Sequence, residues 1–193
     1  DHFLERAGAF AETAGRRDPE WLRSLRARSA AHFAEQGFPS TRLEEWRYTN
    51  VTPLASVRFE LPGSAPAQVT RDLLETLCFP VFACSVFVFV DGRFRPEISS
   101  PRALSGSLRV ESLAELRESA PERLAGLLGG HADPKRHPFV ALAGAFLDDG
   151  ACLFVPRGTR VEQPIHVVQL ASGATPDRVC HPRLLIVAEP GSH

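Results

Sequence analysis

"GACLFVPRGTRVEQPIHVVQLASGATPDRVCHPRLLIVAE" runs from Gly150 to Glu189. Three apolar, β-prone runs lie in it: ACLFVP, QPIHVVQLA and RLLIVAE. The breaks between them carry Pro, Gly and Ser, and no helical period intervenes. Short strands separated by turns predict a sandwich, a barrel or a β-solenoid. About three strands are too few to close a core, so more chain is expected to follow. Two further features carry the same expectation of a piece of something longer. There is no methionine, even at position 1, and the final LLIVAEPGSH reads as a strand, then a turn, then nothing.

Working upstream, "HPFVALAGAFLDDG" is predicted to be an amphipathic helix with Phe139, Val140, Leu142, Ala143 and Phe146 as its apolar side. Ser112-Leu-Ala-Glu115 matches a capping box that opens a helix, and Pro121 restarts another that ends at Gly129-Gly130. "CSVFVFVDGRFRPEI" is the strongest strand signal: Val86–Val90 is continuously apolar, and Asp91-Gly92 is a hairpin turn. Pro66 to Cys78 reads as a helix with Val69, Leu73, Leu74 and Leu77 inward, and "SVRFEL" as a short strand. The first third is helical. Phe3, Leu4, Ala7, Phe10, Ala11 and Ala14 have helical spacing and Gly15 ends the pattern. Asp18-Pro19 starts a second helix, with Asp18 as the N-cap acceptor and Trp21, Leu22, Leu25 and Phe33 on one face. Gly37-Phe38-Pro39 stops it. Thr41-Arg42-Leu43-Glu44 matches another capping box, so a short helical turn is expected before Asn50.

The 193 residues suit one domain, or one plus part of another. Hydrophobic content of 44% and charged content of 23% are ordinary for a globular fold. A net charge of −1, with arginines scattered among acids, gives no footprint for nucleic acid. No apolar run is long enough to span a bilayer. The four cysteines, Cys78, Cys84, Cys152 and Cys180, include no C-x-x-C pair. The apolar neighbours of the first three predict reduced, mostly buried thiols in a cytoplasmic protein.

Each candidate for chemistry has a plainer reading. In His131-Ala-Asp133-Pro-Lys-Arg-His137, Pro134 prevents one helix from presenting both histidines, and a solvated linker is expected. Cys180 and His181 point to opposite faces of a strand and cannot pair with each other. Asp148-Asp149-Gly150 is first a turn. "VPRGTRVEQP" lacks a phosphate-loop pattern. Glu44 is assigned to the capping box and Glu45 to a solvated face. No constellation stands as an active site, and no catalytic, cofactor or metal residue is assigned. Trp46 and Tyr48 are expected to pin their connector onto the neighbouring domain, with polar tips hydrogen-bonded at the edge.

"FPSTRLEEWRYTNVTPL" resembles a hallmark of the SufB/SufD family of SUF iron–sulfur cluster assembly proteins, in its SufD form. The residues are Gly37, Pro39, Thr41, Arg42, Glu44, Glu45, Trp46, Arg47, Tyr48 and Thr49. "VFVFVDGRFRPEIS", "PFVALAGAFLDDGACLFVPRGTRVEQPIHVV" and "HPRLLIVAEPGSH" are similar to later family segments in the right order. Ala143-Gly144 departs from the pattern, where the family more often carries an Asn and a small polar residue.

The resemblance implies an α+β chain: a helical, mixed region over 1–135, then the first rungs of a right-handed parallel β-helix over 136–193. It implies a scaffold and not an enzyme. The expected partners are a SufB-like subunit and a SufC-like ATPase, with a homodimer also allowed. Neither nucleic acid nor membrane is expected as a partner. No cofactor is expected on this segment, since the assembled complex handles the Fe–S clusters and the family's cluster residues lie later. Two rivals remain: a stand-alone protein-binding module in residues 1–135, and a polysaccharide-acting enzyme on a β-solenoid. The solenoid reading also predicts that the 193-residue polypeptide self-associates through unpaired edges.

Overall fold

The computed structural model describes residues 2–63, 68–77, 84–100, 108–173 and 177–193. In chain order the helices are α1 (His2–Thr13), α2 (Glu20–Gln36), α3 (Arg71–Leu77), α4 (Leu113–Ser119) and α5 (Pro138–Ala145). The strands are β1 (Ser85–Val90), β2 (Arg93–Phe94), β3 (Arg109–Ser112), β4 (Gly150–Val155), β5 (Ile165–Leu170) and β6 (Arg183–Ala188). They form two compact units, Asp1–Glu60 with Arg117–Leu147, and Leu61–Leu116 with Asp148–His193. The units interleave along the chain, whereas the sequence expectation drew one boundary after residue 135.

The first unit is built on α2, whose main packing partner is α5. The inward stripe Leu22, Leu25, Ser29 and Phe33 is buried. Gly144 of α5 sits directly over Ser29: a Cβ at 144 would overlap the serine's Oγ and Cβ. The Gly144 half of the departure therefore has a packing reason, since a side chain at 144 would collide with that of Ser29. Gly37 ends α2 at φ 63°, with its N–H donating to the Phe33 carbonyl at 2.8 Å, as its place in the sequence predicted.

Three local expectations for this unit change. Asp18 does not cap α2. Pro19 holds the N-cap position with no side-chain capping bond, and the Asp18 carboxylate is drawn inward instead. "SVRFEL" forms no named strand. Phe59 packs its ring on Phe3 at 5.8 Å, and its carbonyl accepts from His2 Nε2 at 2.8 Å, so that backbone oxygen is taken by α1. After Pro121 only one 3-10 turn forms, Pro121–Arg123, and Leu124 is buried just beyond it.

In the second unit, β1 explains its own composition. Val86, Val88 and Val90 cluster with Val69 and Leu74 on one side. Phe87 and Phe89 cluster with Val110 and Ala151 on the other. A strand covered on both faces must be apolar throughout, because alternate side chains point to opposite faces. Asp91 at φ 50° and Gly92 at φ 81° make the two-residue left-handed turn that Asp-Gly predicted. Val90 thus lies opposite Arg93 in an antiparallel hairpin. The helix expected over 66–78 is helical at Arg71–Leu77. Val69 and Leu74 are buried, but Leu73 is 47% exposed. Pro66 and Cys78 lie outside the described residues.

Among the described residues, all three strands expected after Gly150 are present, but no β-helix is. The strands form two mixed three-stranded sheets, ordered β2-β1-β5 and β3-β4-β6. Successive strands of a solenoid would stack on one another. Here β5 leaves β4 and pairs in parallel with β1, with Ser85 opposite Ile165. β6 pairs in parallel with β4, and β2 and β3 are antiparallel additions. Local pattern told which segments are extended. Long-range partners, which that pattern does not encode, decided the sheets. The solenoid frame of the rival enzyme reading goes with it.

Candidate functional site

The connector Gly37–Thr49 carries the family-motif residues, and the first unit holds it by its aromatic side. Phe38 packs on Phe3 and Phe33, at 5.1 and 5.2 Å between ring centroids. Phe139 of α5 contacts Phe38 at 5.8 Å and Trp46 at 5.3 Å. Pro39 is buried, while Thr41, Arg42, Glu44, Glu45 and Thr49 are exposed. Trp46 is a half-buried pin, held within the connector's own unit. Tyr48 is not: it is 89% exposed, with the Arg47 guanidinium 5.6 Å from its ring centroid.

The helical turn in this connector is a 3-10 turn, Glu44–Trp46. Its N-cap is Leu43, with no side-chain capping bond, so the Thr41–Glu44 capping box does not operate. Ser40 Oγ accepts from the Arg42 N–H at 3.4 Å instead. A run of backbone bonds carries the chain through: Trp46 N–H to Leu43, Arg47 N–H to Glu44 and Thr49 N–H to Trp46. Glu44 faces Arg47 at 3.8 Å and Glu45 faces His137 at 3.8 Å, both solvent-exposed pairs of small energetic weight.

Two buried carboxylates organise the units, and neither was assigned that role from sequence. Asp18 is 4% exposed. Arg26 reaches its Oδ2 at 2.9 Å, and Arg117 approaches its Oδ1 at 3.4 Å. Arg26 also lies over the Phe10 ring, 4.8 Å from its centroid. The available signal was Arg26 itself, an arginine beside the inward stripe of α2 that needs an internal partner.

Asp149 is 6% exposed in the second unit. Its Oδ1 accepts from Ser112 Oγ at 2.8 Å, Ala114 N–H at 3.0 Å and Gly150 N–H at 2.7 Å. Its Oδ2 accepts from Phe94 N–H at 2.9 Å. One carboxylate therefore ties β2, the β3–α4 junction and β4. Ser112 also accepts from Glu115 N–H at 3.2 Å, the cap that its sequence predicted. Asp148, by contrast, makes a half-exposed pair with Arg93 at 3.4 Å.

The remaining candidates are occupied structurally. Asp133 Oδ1 accepts from Lys135 N–H at 2.9 Å, which makes HADPKRH a turn. Among the described residues, no group of three or more His, Cys, Asp or Glu side chains is placed to hold a metal ion. Cys84 and Cys152 are buried and form no disulfide. Burial, and then the Asp91 carboxylate, push the Cys180 thiol up, which keeps it protonated and poorly nucleophilic. Burial holds the neighbouring His181 down at about 4, so its ring is neutral near pH 7. No helix among the described residues is long and apolar enough to cross a membrane.

What the described residues define is an α+β module whose buried acids are committed to internal bonds. The chain belongs to the SufBD family: the family model described as SufBD protein N-terminal region matches residues 9–167. A curated relative, an iron–sulfur cluster assembly SufBD family protein of Synechocystis sp., is 30% identical over 151 residues. That alignment covers 78% of this chain and 33% of the relative, so the chain spans about a third of that protein's length.

Proposed function

We propose that this chain supplies the N-terminal part of a scaffold subunit for iron–sulfur cluster assembly, of SufD type and not SufB type. The observation that carries the reading is the family match across residues 9–167. The likeness to the Synechocystis protein, itself an iron–sulfur cluster assembly SufBD family protein, supports it. The SufD assignment rests on the Glu44-Glu45-Trp46-Arg47-Tyr48-Thr49 motif. The subunit works without catalysis of its own, in the cytoplasm, beside a SufB-like subunit and a SufC-like ATPase. Clusters are the cargo of that complex and not a resident cofactor of this segment. The commitment of Asp18 and Asp149 to arginine and backbone donors favours a structural role for this region over acid–base chemistry.

The test is anaerobic co-purification of the full-length protein with SufB and SufC homologues. A ternary complex is expected, and its cluster content is read by absorbance and iron analysis. Failure to associate with either partner would overturn the proposal. Turnover of a substrate by the full-length protein alone would overturn its non-catalytic part.

A further inference from the structure

We draw no further inference here: the strongest candidate, the exposed Leu43–Tyr48 patch on the connector between α2 and the Thr52–Ser56 turn, carries nothing because no feature of the structure shows what covers it.

Discussion

Replacing Asp149 with alanine tests the internal logic of the second unit. Four donors lose their acceptor: the N–H groups of Phe94, Ala114 and Gly150, and the Ser112 hydroxyl. At about 1.5 kcal/mol for each bond to a charged acceptor, the gross loss is about 6 kcal/mol. The carboxylate no longer has to be desolvated, which returns about 2 kcal/mol. The net destabilisation is then about 4 kcal/mol, or roughly three decades in the unfolding equilibrium. Trp21 and Trp46 both belong to the first unit, so tryptophan fluorescence does not report on this one directly. Amide hydrogen exchange at Val88, Phe89 and Val168 does, since these residues are buried in the strands concerned. The expected result is a loss of protection of about a thousandfold. Asp148→Ala is the control. Its partner Arg93 is half exposed, so about 0.5 kcal/mol is expected. If Asp149→Ala changed protection less than about fivefold, or no more than the control, the view of Asp149 as the tie between these segments would be wrong.

The other predictions separate packing from exposure. Trp46→Ala, which strips the contact to Phe139, is expected to cost about 2 kcal/mol in urea denaturation, whereas Tyr48→Ala stays within about 0.5 kcal/mol. Equal costs would refute the pin assignment. Gly144→Ala is expected to cost about 2 kcal/mol by overlap with Ser29, and Ser29→Gly should restore part of it. An additive double mutant counts against the contact. His181 binds no proton in the fold until about pH 4, while the unfolded chain binds one below about 6.5. Stability is therefore unaffected above 6.5 and falls by up to about 3 kcal/mol as pH drops to 4, and His181→Gln should flatten that part of the curve. Identical curves for the two proteins would refute the buried neutral ring. Leu184 and Ile186 stand 50% and 56% exposed on β6, the end strand of its sheet. The 193-residue polypeptide is expected to self-associate at micromolar concentration and above, and Ile186→Lys to reduce it. A monodisperse monomer by light scattering would refute this.

What was legible in the sequence divides by range. The Asp91-Gly92 hairpin, the glycine stop at Gly37 and the Ser112 cap were all readable because each is settled within a few residues. The failures share a cause. Asp18 before Pro19 is a good N-cap on local grounds, yet a buried guanidinium eight residues on competes for the same carboxylate. A charged acceptor is worth more to a buried arginine than to a peptide N–H that water can reach. Asp149 was a turn residue by its neighbours, and it is one. Its other role depends on Phe94 and on Ser112, fifty-five and thirty-seven positions away. Nothing near Asp149 advertises those donors.

The same division explains how the family was identified while the sheet arrangement was misjudged. Strand positions and turn residues recur as short patterns, and the family-model match covers the first two motif segments in full and the third as far as Val167. Sheet order is a property of pairs. β4 and β5 are consecutive and both apolar, so adjacency favoured stacking one on the other. Yet Ile165 and Val167 pack with Phe87 and Phe89, while Leu185 of β6 lies opposite Cys152 of β4. Gly150 shows how tightly that second pairing is made: a Cβ there would overlap the Arg183 backbone. The glycine that looked like a turn after α5 is also the residue that lets β6 lie against β4. A sequence pattern records that Gly150 is needed, but only the pairing shows which neighbour needs it.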